Sequence, residues 1–339
     1  MNIINGVIMV AGSHGVGKSR FSLEAGNPEK TILIDDDQKG KSTVQRMLDD
    51  GIKFGEYVDF IKEISGKKPV DIHKKGLEII DAIPQGKYEV LVWDTWTQFA
   101  ETCAIYVQTY PDKFRDSWAA MGKIRAGEEY KEARLYEAEL IHKLQTKVPL
   151  VILVSHLKNQ YLNNATTGKE IPAVSKAVDS ACNLRLWIRH NPASSTPIAL
   201  VLKNIEKNMM IDGKLRTIQV LPTKITPLSN ADCFERSLWD SIERYYNNPI
   251  GNRKPTIDET PNDFEMSIVQ GTLTADQRIS WLYALKEQKQ IETETTLILQ
   301  AENKTKAVEL QQSGKGLMDI AKELDVPLAD VVKWTTANE

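Results

Sequence analysis

The residues that most constrain the fold are Gly12, Ser13, His14, Gly15, Val16, Gly17, Lys18 and Ser19. The apolar residues 7–10 precede them and predict a buried strand, and residues 20–25 can form a helix. The segment therefore matches G-x-x-x-x-G-K-[ST] between a strand and a helix. Glycines let successive backbone N–H groups turn towards a phosphate, and the helix N-terminus adds partial positive charge. This context predicts an α/β fold with a phosphate-binding loop.

Lys18 and Ser19 have defined roles in a loop of this kind. The lysine reaches the β- and γ-phosphates of a nucleotide, and the hydroxyl of the serine is offered to Mg²⁺. We therefore predict ATP and Mg²⁺ as the cofactors. The residues predicted to contact the nucleotide are Gly12, Ser13, His14, Gly15, Val16, Gly17, Lys18, Ser19 and Arg20.

Three consecutive aspartates follow a second apolar run. Residues 31–34 predict a buried strand, and Asp35, Asp36 and Asp37 come directly after it. Ligands bind at the carboxyl ends of strands in open α/β sheets, so one of these carboxylates can orient or deprotonate an attacking water. Asp36 and Asp37 are the catalytic candidates. A solvated acidic turn is the alternative interpretation.

Another strand, predicted over residues 88–93, ends at Asp94. A carboxylate in this position after a phosphate-binding loop can hold Mg²⁺ opposite the loop hydroxyl, so Ser19 and Asp94 are the predicted metal ligands. The next residue is Thr95. The chain therefore lacks the second carboxylate of Asp-Glu type ATPases, which directs attention back to the aspartates after the second strand.

The apolar run at residues 148–154 predicts one more strand, and Ser155 and His156 follow it. At the same edge of the sheet, His156 could contact the γ-phosphate and sense its loss; a purely structural histidine is the alternative. The polar residues 161–175 predict a mobile loop that could receive this signal and contact DNA.

The order of elements predicts an α/β core over residues 1–248, with a mostly parallel sheet flanked by helices. Residues 249–274 contain several prolines and two glycines and predict a linker. Residues 275–339 predict a small all-α module, within which residues 304–336 form three short helices similar to a helix-turn-helix. The last of these carries Asp330 and a single basic residue, Lys333, so a protein-docking bundle remains as an alternative to a DNA reader.

Composition limits the classes of function. The chain has 339 residues, of which 41% are hydrophobic and 26% charged, as expected for one large domain and a smaller one. No apolar run of membrane-spanning length and no signal-peptide pattern occur, which indicates a cytoplasmic protein without membrane partners. The net charge of −3 gives no global signature of nucleic-acid binding, so any such site must be a local patch.

The loop at residues 12–19, the strand ending at Asp94 without a following Glu, and the strand ending at Ser155 and His156 together resemble the RecA-like branch of P-loop ATPases over residues 1–228. More narrowly, they resemble phage and prophage RecA-like ATPases of the AAA family associated with single-strand annealing recombination. The resemblance implies a catalytic acid among the three aspartates, although Glu is commoner there. It also implies that basic residues, here Lys203 and Lys207, act on the nucleotide of a neighbouring subunit.

The resemblance further implies DNA as a partner, a homo-oligomer, and a bacterial or phage-infected host cell. Single-stranded DNA is favoured, and duplex DNA is possible through the C-terminal module. The favoured function is a DNA-dependent ATPase of recombination or replication. A DNA-packaging or transposition-type ATPase and a nucleotide-regulated adaptor in a phage or defence assembly are the alternatives.

Overall fold

The computed structural model describes residues 5–114, 128–162, 165–190, 197–211, 214–227, 237–250, 254–274, 300–324 and 326–336. The chain divides into two compact units, Met1–Ala275 and Asp276–Glu339. Most of the helix predicted over residues 275–300 lies outside the described residues. None of the helices within those ranges is long and apolar enough to cross a membrane.

An eight-stranded sheet lies at the centre of the described part of the first unit. Its strands are β1 Gly6–Ala11, β2 Thr31–Asp35, β3 Glu56–Asp59, β4 Val90–Asp94, β5 Leu150–Val154, β8 Leu184–His190, β9 Pro197–Lys203 and β12 Lys224–Ile225. They lie in the order β12-β9-β8-β1-β5-β4-β2-β3. All neighbours from β8 to β3 are parallel, whereas β9 and β12 are antiparallel additions at one edge. The predicted α/β fold with a mostly parallel sheet is confirmed.

Helices cover both faces of this sheet. They are α1 Lys18–Leu23, α2 Lys39–Asp49, α3 Phe60–Ile64, α4 Pro69–Ala82, α5 Trp96–Thr109, α6 Glu128–Lys147, α7 Lys176–Ala181, α8 Ser237–Asn247 and α9 Asp263–Val269. Side chains alternate along β1: Ile8 and Val10 pack with α1, α2 and α8, and Val7 and Met9 pack with α4, α5 and α6. Burial on both faces explains why the central strands are continuous apolar runs.

Within the described residues, two hairpins lie outside the large sheet. In the first, β6 Leu157–Leu162 pairs antiparallel with β7 Ala165–Pro172; in the second, β10 Glu206–Ile211 pairs with β11 Lys214–Gln219. The prediction of a mobile loop over residues 161–175 is therefore wrong, because most of these residues belong to the first hairpin. The many polar residues of this segment indicate a loop, but Thr166, Thr167 and Ile171 are β-branched, and such residues favour a partly exposed β-strand.

The linker predicted over residues 249–274 also requires correction. Helix α9 lies within it and begins with a capping box, in which Asn262 and Glu265 each accept a backbone N–H from the other. Ile268 and Leu273 are buried against Trp187 of β8 and Leu200 of β9. This part of the predicted linker is a packed component of the first unit.

The described residues of the second unit form a small helical bundle. Residues 300–312 are helical and are followed by helices Leu317–Leu324 and Leu328–Thr336. Ala307, Ile320 and Val331 form its buried centre. The sequence predicts three short helices here, and the structure contains them. On the last helix, Leu328 and Val332 are exposed and lie one helical turn apart.

Candidate active site

The loop between β1 and α1 depends on its glycines. Gly12, Gly15 and Gly17 have φ angles of 150°, 74° and 84°, which other residues rarely adopt. A Cβ atom on Gly12 would lie 2.3 Å from the carbonyl oxygen of Ile188 in β8. The first glycine is therefore required by close packing against the neighbouring strand as well as by its dihedral angle, and the loop conformation follows directly from the sequence.

Lys18 lies at the centre of this loop. Its Nζ donates hydrogen bonds to the carbonyl oxygens of Gly12, at 3.0 Å, and Ser13, at 2.9 Å. Burial lowers the pKa of Lys18, and the negative charge of Asp94 opposes that shift. The side chain is thus a largely desolvated cation whose bonds to loop carbonyls can be exchanged for bonds to a phosphate.

Ser19 and Asp94 form a pair of oxygen ligands beside the lysine. The hydroxyl of Ser19 donates a hydrogen bond to Oδ2 of Asp94. Burial raises the pKa of Asp94 to about 6, and the bond from Ser19 opposes the shift. A hydroxyl and a carboxylate suit Mg²⁺, which takes few protein ligands and completes its shell with phosphate oxygens and water. Among the described residues, no cluster of three or more His, Cys, Asp or Glu forms a metal site of its own.

The three aspartates after β2 have different surroundings. Asp35 is buried and accepts hydrogen bonds from the hydroxyl of Tyr57 and the backbone N–H of Lys41, both at 3.0 Å. Asp36 is also buried, and its carboxylate has no hydrogen-bond partner within the described part of the chain. Burial, together with the negative charges of Asp37, Asp35 and Asp94, raises the pKa of Asp36 to about 8. Asp36 is therefore mostly protonated at neutral pH.

Asp37 is the member of this run that reaches a cavity of about 420 Å³ at the carboxyl edge of the sheet. The cavity is also lined by Lys18, Ser19, Asp94 and His156, and by His14, Gly15, Gly17 and Arg20 of the loop and first helix. The structure thus brings together most of the residues that the sequence predicts for the site. Asp36, Gly12, Ser13 and Val16 do not line this cavity.

Sequence reasoning missed the wall of the cavity that α2 contributes. Lys39, Thr43, Arg46 and Met47 lie there, and Ile52 follows the helix. The amphipathic pattern of residues 39–49 could have identified this wall, because the helix begins two residues after Asp37.

His156 lies at the same end of the cavity as Asp37. Its Nε2 is 3.9 Å from Oδ2 of Asp37, and its ring centroid is 6.0 Å from that of His14. Burial lowers the pKa of His156, and the positive charges of Lys18 and Lys39 lower it further. The imidazole is therefore mainly neutral at pH 7. Ser155 is fully buried, and its hydroxyl donates to the carbonyl oxygen of His156.

The two lysines predicted to act on a neighbouring subunit lie away from this cavity. Lys203, at the end of β9, pairs in register with Arg185 at the start of β8. This pair therefore lies at the amino ends of the parallel strands, opposite the glycine loop. The Nζ of Lys203 donates a hydrogen bond to the carbonyl oxygen of Asp179 at 3.0 Å. The Nζ of Lys207 donates to the carbonyl oxygen of Tyr246 at 2.7 Å and lies over the ring of the same residue. Neither lysine contributes to the cavity of its own chain.

This fold and cavity define a P-loop nucleotide-binding protein of the α/β class. A family model described as an AAA domain matches residues 4–216, which is more than half of the sequence, and the chain belongs to that AAA domain family. Among solved structures the chain is similar to the crystal structure of the RadB recombinase, with 12% identity and a TM-score of 0.35 over 63% of this chain and 87% of that chain. No curated protein matches the sequence.

Proposed function

We propose that this AAA domain protein is a RecA-like, Mg²⁺-dependent ATPase that acts on DNA in recombination or replication as an oligomer. The observation that supports hydrolysis best is the convergence of Lys18, the Ser19–Asp94 pair and Asp37 on one cavity. These are the positive charge, metal ligands and carboxylate that phosphoryl transfer requires. The phage-type setting rests on the sequence resemblance alone.

Binding begins with the phosphates. Backbone N–H groups of the glycine loop and the Nζ of Lys18 would hold the β- and γ-phosphates, and the lysine would give up its bonds to Gly12 and Ser13. Ser19 and Asp94 would hold Mg²⁺, which neutralises charge on the phosphate oxygens when bound. Exclusion of water from this partly buried site strengthens each of these contacts.

We assign the carboxylate that orients the attacking water to Asp37. Asp37 lines the cavity, whereas Asp36 does not and is mostly protonated at neutral pH. His156 faces the same end of the cavity and would contact the γ-phosphate. Because β6 begins at the next residue, a shift of His156 would move the start of the β6–β7 hairpin. This hairpin, in place of the predicted loop, is the proposed route from nucleotide state to DNA.

An assembly of several copies suits the position of Lys203. In a head-to-tail arrangement, the sheet edge that carries Lys203 and Arg185 can face the cavity of the next subunit. Lys203 would then leave the carbonyl oxygen of Asp179 for the neighbour's nucleotide. Lys207 is the second candidate for this role, although its bond and ring contact with Tyr246 would have to break.

A nucleotide-regulated adaptor is the second candidate function, because the last helix of the second unit has an exposed apolar face. The last helix exposes Leu328 and Val332, and Lys333 is its only basic residue. DNA-reading helices need basic or amide groups to reach phosphates and base edges, whereas this face is mainly apolar. That composition favours docking of a protein through the second unit, and it weighs against the packaging or transposition alternative.

The test is hydrolysis of ATP by the purified full chain, at a stated salt concentration, without DNA and with single-stranded or duplex DNA. The Lys18→Ala variant gives the background rate. We expect stimulation by single strands, and retention of full activity in Lys18→Ala would contradict the assignment of the site. Slow hydrolysis with tight nucleotide retention and no response to DNA would favour the adaptor.

A further inference from the structure

Lys39 is the cavity residue whose position is least expected from the sequence. It is the first residue of α2, and the preceding Gln38 adopts a left-handed conformation with φ of 61°. A residue other than glycine rarely adopts this conformation, which costs conformational energy and persists only where surrounding contacts hold it. The turn directs both Asp37 and Lys39 into the cavity that contains Lys18.

Lys39 contacts residues at the end of the cavity lined by Lys18 and Asp37, which is called the phosphate end below because the proposed function places the phosphates there. Its Nζ lies 2.7 Å from Oδ2 of Asp37 and 3.4 Å from Nδ1 of His14, and its backbone N–H donates to Oδ1 of Asp37 at 3.1 Å. The side chain of Lys39 is 46% exposed, whereas that of Asp37 is only 10% exposed. An ion pair with one partner this accessible to water is weak and easily exchanged.

Electrostatics supports the same placement. Burial is the main cause of the lowered pKa of His156, and the positive charges of Lys18 and Lys39 lower it further, so the charge of Lys39 reaches the end of the cavity where His156 lies. A triphosphate entering this end would meet the carboxylate of Asp37, which repels it. A second cation that can turn from Asp37 to the phosphate would offset this repulsion.

We propose that Lys39 binds the terminal phosphate of ATP from within the same chain and, by leaving Asp37, frees that carboxylate to orient the attacking water. The inference rests on the proposed function, because it takes the cavity to be an ATP site. It adds a residue that distinguishes ATP from ADP without a neighbouring subunit. In the protein without nucleotide, the Lys39–Asp37 pair keeps the carboxylate occupied.

The experiment compares ATP and ADP affinity, measured by calorimetry on the full chain, for the native protein and for Lys39→Ala, Lys39→Arg and Lys41→Ala. Lys41 is a matched control, because it is an exposed lysine of the same helix that does not line the cavity. Lys39→Ala is expected to weaken ATP binding by about 10- to 100-fold, the worth of a charge-assisted hydrogen bond, with ADP binding changed less than about twofold. Lys39→Arg should retain most of the affinity, and Lys41→Ala all of it.

A second arm separates direct phosphate contact from an effect through Asp37. In the Asp37→Ala background, Lys39→Ala should still weaken ATP binding, because the phosphate contact does not need the carboxylate. Equal losses for ATP and ADP, no loss for either, or a loss that disappears in the Asp37→Ala background would each overturn the role of Lys39. Absence of nucleotide binding by the native protein would instead overturn the proposed function and this inference together. Circular dichroism checks that each variant is folded.

Discussion

Ser19 and Asp94 are 75 positions apart in the sequence, yet the hydroxyl of Ser19 donates a hydrogen bond to the Oδ2 atom of Asp94. The contact exists because β1 and β4 are both neighbours of β5 in a parallel arrangement, so their carboxyl ends meet at one edge. One ligand comes from the helix after β1 and the other from the end of β4. Together they form the proposed Mg²⁺ site.

Replacement of Asp94 by Asn is expected to separate metal-dependent from metal-independent binding. The amide cannot neutralise Mg²⁺, so hydrolysis should fall on the order of 100-fold or more. Nucleotide binding in the presence of a chelator should change little, because Lys18 and the loop still hold the phosphates. Binding titrations with and without Mg²⁺ measure this difference. An Asn variant with undiminished Mg²⁺-dependent hydrolysis would remove Asp94 from the metal site.

The neighbouring aspartates should respond differently to the same substitution. Asp37→Asn should lower the rate of hydrolysis about 10²- to 10⁴-fold, since general-base positioning acts on the reaction step. Nucleotide affinity should be retained or increased, because the amide does not repel the triphosphate. Asp36→Asn should keep a near-native rate, because it replaces a mostly protonated carboxyl that does not line the cavity. Steady-state kinetics of the two variants at saturating ATP is the measurement. The reverse ranking would transfer the catalytic role to Asp36.

Alanine substitutions at Gly12 and Gly15 compare the cost of a steric clash with the cost of backbone strain alone. Gly15→Ala meets no atom within 4 Å and is expected to cost about 1–2 kcal/mol for its left-handed backbone. Gly12→Ala places a methyl group 2.3 Å from the carbonyl oxygen of Ile188, which cannot move without shifting β8. We expect Gly12→Ala to be the more destabilising by several kcal/mol in denaturant unfolding, which is the upper range for single substitutions. Similar losses for both would show that β8 can move to accommodate the methyl group.

The central strands and the loop were predictable because their signals are local. An apolar run buried on both faces predicts β1, β4 and β5, and the glycine pattern predicts the loop. The choice among Asp35, Asp36 and Asp37 was not predictable, because successive residues at a strand end point in different directions and only the fold decides which reaches the cavity. Lys39 was missed for a related reason, since its placement depends on the unusual conformation of Gln38.

The β6–β7 hairpin and α9 illustrate two other limits. The hairpin is polar on much of its surface, so its pairing is set by contacts that composition does not reveal. For α9 the sequence does contain a local signal. Asn262 and Glu265 have the spacing of a capping box before an apolar run, although the surrounding prolines suggested a linker.

His73 provides a pH-dependent test of the core, because it does not line the proposed site. It is fully buried, it bonds with the hydroxyls of Thr102 and Tyr136, and burial lowers its pKa to about 4 from 6.5. The unfolded chain therefore binds a proton below pH 6.5 that the folded chain does not bind until pH 4. As the pH is lowered from 6.5 to 4, the free energy of unfolding should therefore fall by about 1.4 kcal/mol per pH unit. Denaturant unfolding should show this component in the native protein and not in His73→Gln, and equal slopes would contradict it.

Glu265 tests whether α9 is a structural part of the first unit. Its carboxylate is 1% exposed and lies 3.0 Å from the Nζ of Lys224 and 3.5 Å from an η-nitrogen of Arg189, so it joins α9 to β12 and β8. Glu265→Gln leaves two basic groups with reduced compensation, and breaking a buried pair in this way costs about 3–5 kcal/mol. If Glu265→Gln left the unfolding free energy unchanged, residues 263–269 would behave as the linker that the sequence suggests.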